Sequence, residues 1–167
     1  MPTLRRVNIF ALDLVMFPIH HKVDKKDHWG LAIVNFGLNC IQYYDSLVMH
    51  KNHEHLYGSK VRSGLSNVNK FLEEEYLRRY KTSFCTKMNT VVVSPLPQQW
   101  NNTDCGVFLL WFAKKIAAND YDMCNTEGHL PRFRQEIRES VISSCRWHSS
   151  TFLCLNFGSW PSVLHIL

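Results

Sequence analysis

The stretch from Gly106 to Ala118 is apolar nearly all round. A helix without a polar face must be covered on every side, so this one belongs at the centre of a fold rather than on its surface. The 167 residues available are enough for one domain to bury such a core without disulfide or metal staples. Strands are the obvious cover. Asp13-Leu-Val-Met-Phe17 ends at Pro18, which marks a strand boundary, and His28 to Phe36 is an almost wholly apolar run rich in β-formers. Both read as interior strands. The apolar run from Ile9 to Ile19 follows Arg5 and Arg6 like a signal core, but Asp13 interrupts it and no small-residue cleavage site follows, so a buried strand is the simpler reading.

Gly37-Leu-Asn39 is a short turn into Cys40-Ile-Gln-Tyr-Tyr-Asp45, where Ile41 and Tyr43 alternate with Gln42 and Tyr44 as in a half-buried strand. The resulting hairpin delivers Asp45 near His28. Val48 to Gly64 is polar and His-rich, which suggests a loop or a short irregular helix. Ser66 or Asn67 is then placed to cap a helix whose apolar stripe is Val68, Phe71, Leu72, Tyr76 and Tyr80, with Glu73 to Glu75 outward. Thr90 to Ser94 is a further strand, closed by Pro95-Leu-Pro97. A last helix starts at Pro131 with Phe133, Ile137 and Val141 on one face. The order strand, strand, strand, helix, strand, helix, helix predicts an α+β domain with a mostly continuous sheet covered by helices. Trp147 to Leu167 shows no clear period or caps and receives no element.

Composition narrows the function classes. A formal charge of +5 without a long basic tract argues against nucleic acid as partner, and Arg78, Arg79 and Lys81 read as a solvated helix end. No run approaches the roughly 20 apolar residues of a membrane span. The six cysteines, at 40, 85, 105, 124, 145 and 154, form no paired framework and read as free thiols.

One thiol stands apart. A cysteine becomes a good nucleophile when ionised, which needs a nearby imidazole or a helix N-terminus. Cys105 opens the central helix in Asn101-Asn-Thr-Asp-Cys-Gly106, with Thr103 or Asp104 available as cap and Gly106 leaving the approach open. His28 and Asp45, side by side across the hairpin, supply an imidazole and a carboxylate to orient it, which completes the logic of a triad. Taken singly, each is ordinary: a small buried cysteine, a surface histidine, a turn aspartate. His50, His53 and His55, with His20 and His21, match no closed tetrahedral pattern, so no metal or other cofactor is expected.

Three ordered blocks make the combination specific. His28-Trp-Gly-Leu-Ala-Ile-Val34, Tyr44-Asp-Ser-Leu47 and Pro97-Gln-Gln-Trp-Asn-Asn-Thr-Asp-Cys-Gly-Val107 resemble the signature blocks of the SUMO-specific (sentrin-specific) and related ubiquitin-like proteases. Phe17-Pro-Ile-His20 and Leu130-Pro-Arg-Phe-Arg134 extend the likeness, which runs from about residue 7 to 144. The resemblance implies a papain-like cysteine protease fold with His28, Asp45 and Cys105 catalytic. It implies that Gln99 donates to the oxyanion beside the Cys105 backbone N–H; Gln98 next door is the blander candidate and reads as solvent-facing. Trp29 would roof a narrow channel over a Gly-Gly tail. The implied reaction is cleavage after that tail in a ubiquitin-like modifier, SUMO favoured, in precursor processing or deconjugation, by a monomer that is intracellular and nuclear. The alternatives are a protease for another modifier, or a truncated, non-catalytic binder of a ubiquitin-like protein. Against the family pattern, the expectation is that residues 1–144 are a catalytic domain lacking the family's usual N-terminal portion, with residues 145–167 a tail of unassigned role.

Overall fold

A computed structural model describes residues 7–23, 25–47, 54–85, 87–123 and 130–144, with the backbone alone for 54–60, 141, 143 and 144. The elements are β1 (Leu14–Val23), β2 (Lys26–Asn35), β3 (Cys40–Tyr44), α1 (Glu54–Tyr80), β4 (Asn89–Val92), α2 (Cys105–Ala117) and α3 (Leu130–Ser144). Chain order and type follow the expected α+β pattern. The four strands form one sheet in the order β1-β2-β3-β4. The first three are antiparallel, while β3 and β4 run parallel because α1 carries the chain back between them.

Successive residues of β2 point to opposite faces, and both faces are covered. Ala32 and Val34 join Val15, Ile19, Ile41 and Tyr43 beneath Val61, Leu65, Val68 and Leu72 of α1. Leu31 and Ile33 join Met16 and Tyr44 against Phe108, Leu109, Phe112 and Ile116 of α2 and Phe133 of α3. Double coverage explains why β2 reads as a continuous apolar run. It also overturns the half-buried reading of β3: Tyr44 is buried, with its ring 5.8 Å from that of Phe112.

Other boundaries differ for identifiable reasons. The strand does not stop at Pro18, which pairs with Leu31 in mid-β1; β1 lies at the sheet edge, where a missing N–H leaves no neighbour unbonded. The proposed strand does not extend back to Ile9 either. Ile9–Ala11 is a 3-10 turn whose Phe10 N–H is accepted by the Asn8 side chain. Neither Ser66 nor Asn67 is a cap, since α1 begins at Glu54 and both residues are exposed mid-helix. Its buried stripe starts earlier, at Val61 and Leu65, continuing the same spacing upstream. Glu75 does not point freely outward but is held by Arg78 and Arg79.

Candidate active site

The β2–β3 hairpin sets the first half of the site. Antiparallel pairing puts the start of β2 and the end of β3 at the same end of the sheet, where His28 and Asp45 meet. His28 Nε2 lies 2.8 Å from Asp45 Oδ1, with His28 only 2% exposed. The carboxylate is held on all sides. Its Oδ1 also accepts the Leu47 N–H at 2.8 Å, and Oδ2 accepts the Tyr43 hydroxyl at 2.7 Å. Tyr43 reaches it because residues two apart on a strand share a face. The phenol passes over Gly30, where an added Cβ would sit 2.1 Å from the Tyr43 hydroxyl oxygen. Only glycine fits there.

Cys105 supplies the other half from the first residue of α2. With Nε2 engaged by Asp45, Nδ1 is the ring nitrogen left to face the thiol, and His28 and Cys105 are hydrogen-bonded. That bond pulls the Cys105 pKa below its ordinary value against the opposing effect of burial, helped by the backbone N–H groups of Trp29 and Gly106. Burial works against the charged form of His28 as well, but hydrogen bonds and charge from Asp45 and Cys105 prevail and raise it from 6.5 to about 9. Chemically, this is a thiol primed to ionise beside an imidazolium.

Local geometry at the helix start departs from the expected cap. Asp104 occupies the N-cap position in helical conformation and makes no side-chain cap hydrogen bond. Its carboxylate instead pairs with Arg134 of α3. Asn101 Oδ1 closes the turn by accepting the N–H groups of Thr103 at 2.9 Å and Asp104 at 3.0 Å. An added Cβ on Gly106 would meet nothing within 4 Å, so the space at Gly106 is open.

Gln99 is 2% exposed and bonded at both ends of its amide: Oε1 accepts the Ser46 hydroxyl at 2.6 Å and Nε2 donates to the Asn101 carbonyl at 2.6 Å. Gln98 does not face solvent; it is half-buried and turns its amide back to the Leu96 carbonyl at 3.0 Å. Trp29 is 41% exposed, its ring 4.8 Å from that of His20, which places it on the surface and not in the core. Trp100 beside Gln99 is 86% exposed.

Of the histidines weighed for a metal, His20 and His21 lie on β1, His50 and His53 lie outside the described residues, and only the helical backbone of His55 is described. Among the described residues, His21, His28 and Asp45 are the potential ligands grouped within 4.8 Å. Two of those three are already bonded to each other. His21 is buried with its ring 5.1 Å from His28, a placement beside the imidazole that the sequence did not indicate. Tyr43 and Ser46 were also missed as site residues, although both lie within two positions of Asp45 in the chain.

A cysteine opening a buried helix, bonded to an imidazole that a buried carboxylate holds, on a sheet covered by helices, defines a papain-like cysteine protease fold. The chain belongs to the Ulp1 protease family: the family's C-terminal catalytic domain matches residues 2–147. Mouse (Mus musculus) sentrin-specific protease 5 is 30% identical over 142 residues, which are 85% of this chain and 17% of that protein. The chain thus spans about a sixth of that relative's length. The Chaetomium thermophilum Ulp1-like SUMO protease catalytic domain is 26% identical, with a TM-score of 0.54 over 81% of this chain and 48% of that one. The C-terminal Ulp1 protease domain solved with Smt3, the yeast ortholog of SUMO, is 20% identical, with a TM-score of 0.59 over 85% and 57% of the two chains, and shares the fold.

Proposed function

We propose that this chain is the catalytic part of a cysteine protease that cleaves after the Gly-Gly terminus of a ubiquitin-like modifier, with SUMO as substrate and partner. The observation that carries the proposal is the buried His28–Asp45 contact at 2.8 Å with the Cys105 thiol bonded to the same imidazole. Cys105 gives its proton to His28 and attacks the carbonyl carbon of the second glycine. The tetrahedral oxyanion is received by the Cys105 backbone N–H, which no turn of α2 uses, and by Gln99 Nε2. His28 then passes the proton to the leaving amine, and water, deprotonated by the same ring, hydrolyses the thioester. Asp45 fixes the ring tautomer throughout and stabilises its cation. Trp29 lies over the substrate tail, where glycine alone leaves room for the chain. The family suggests an intracellular site of action, and we propose the nucleus; no helix among the described residues is long and apolar enough to cross a membrane.

The test is covalent labelling. A panel of modifiers bearing C-terminal vinyl sulfones is incubated with the chain and with its Cys105→Ser variant. SUMO is expected to form an adduct with the first and not the second. Labelling that survives Cys105→Ser would overturn the nucleophile. Binding of SUMO without any adduct would leave a non-catalytic binder instead, and a preference for another modifier would replace the substrate.

A further inference from the structure

Gln99 is held by a part of the chain far from it in sequence. Ser46, 53 residues earlier and 1% exposed, donates its hydroxyl to Gln99 Oε1 at 2.6 Å, while its carbonyl accepts the Gln99 backbone N–H at 2.9 Å. We infer that Ser46 is a positioning residue for the oxyanion: it clamps the carbonyl end of the Gln99 amide so that the nitrogen end faces the reacting carbon. This rests on the role proposed above for Gln99.

The amide of glutamine has two ends of nearly equal shape and opposite polarity, and its terminal torsion is soft. One hydrogen of Nε2 is already donated to the Asn101 carbonyl, leaving the second for an oxyanion. Without a donor at Oε1 the side chain gains freedom to swing about that single anchor. A buried carbonyl oxygen would also be left unbonded, which favours rotamers that seek a new partner. Both effects spoil a donor that must be in place before the charge develops.

The turn that holds Gln99 also holds Asp45. Within three consecutive residues, the Leu47 N–H bonds Asp45 Oδ1 and Ser46 bonds Gln99 twice. The turn after β3 therefore supports the carboxylate behind the imidazole and the proposed oxyanion donor together, which ties two halves of the site to one short segment.

The experiment is a double-mutant cycle on the full chain, reading hydrolysis of a fluorogenic SUMO C-terminal amide. Rates are normalised to Cys105 thiols titrated with a SUMO vinyl sulfone, so loss of folded protein does not enter. Removing an oxyanion donor outright lowers rate by about 10²–10³-fold, so loosening one by Ser46→Ala is expected to lower kcat by roughly 10-fold with KM within about 2-fold. The pH profile of Cys105 alkylation by iodoacetamide should not move, because no oxyanion forms in that reaction. In a Gln99→Ala background, Ser46→Ala should then have no further effect on kcat. Undiminished loss in that background, or a displaced alkylation profile, would overturn the inference and leave Ser46 acting through Asp45 or on folding alone. A Gln99→Ala variant as active as the parent would overturn both the inference and the oxyanion role on which it stands.

Discussion

In water at neutral pH a thiol is mostly protonated and an imidazole mostly neutral; here the pair is driven toward the opposite charges. The hydrogen bond from His28 lowers the Cys105 pKa from its ordinary 9.0, while Asp45 and Cys105 together carry His28 to about 9 in spite of its burial. The signs fix the pH dependence. On the proposed mechanism, the thiolate appears and hydrolysis increases as pH rises through the lowered Cys105 value. As it rises through about 9, His28 loses the proton that the leaving amine needs, and hydrolysis falls. The expected kcat/KM profile is a bell whose alkaline limb lies near pH 9, whereas alkylation, which needs no proton donor, persists beyond it. Part of the elevation of His28 comes from the sulfur itself. Cys105→Ser should therefore bring the His28 pKa, followed by its ring proton resonances, below about 9. A ring that still titrates near 9 in that variant would show Asp45 to be the sole cause.

The elements show which features local sequence can carry. Gly64 lies inside α1, where glycine is about 1 kcal/mol less favourable than alanine. A side chain there is opposed because α1 packs on β1 at that point: an added Cβ would meet Ile19 Cγ2 at 2.7 Å. That methyl belongs to a β-branched side chain with little freedom to turn away. Gly64→Ala thus gains about 1 kcal/mol of helix propensity and loses about 1–3 kcal/mol to overpacking. A lower midpoint of urea unfolding is the expected balance, and a raised one would mean that α1 moves off β1 at little cost. The start of α1 was illegible because Val48 to Gly64 as a whole is polar and His-rich, with Gly58 and Gly64 interrupting it, whereas the helix runs from Glu54 and packs Val61 and Leu65 on the sheet. Pro18 misled in the same way, as a local breaker whose effect depends on which side of the strand is unpaired. By contrast, the approach of His28 to Asp45 was legible, since one short hairpin determines it. The Ser46–Gln99 bond was not. Its two residues are brought together only after α1, β4 and the following loop have taken their places.

At the scale of the molecule, a sheet covered on both faces holds α2 with its N-terminus at the end where β2 begins and β3 finishes. The third helix braces this arrangement and holds the side chain of the residue that precedes Cys105. Phe133 is buried against α2, Lys114 lies over its ring at 5.1 Å and bonds Glu136 at 2.6 Å, and Arg134 pairs with Asp104. Asp104 immediately precedes Cys105, so an uncompensated carboxylate there would oppose ionisation of the thiol. Burial pushes the Asp104 pKa up, but the hydrogen bond with Asn101 and the Arg134 charge outweigh it and keep the group ionised. Arg134 therefore pairs with an ionised group on the residue next to Cys105 in the chain. Arg134→Gln should raise the pH at which Cys105 ionises and lower its alkylation rate at pH 6 by about 2–5-fold, the size expected for one nearby, partly screened charge. Because the effect is Coulombic, it should shrink in about 1 M salt, where the screening length falls to about 3 Å. Asp104→Asn in the Arg134→Gln background removes the offending charge and should restore the rate. If alkylation stays slow in that double variant, α3 supports the site by packing alone and the charge on Arg134 is incidental.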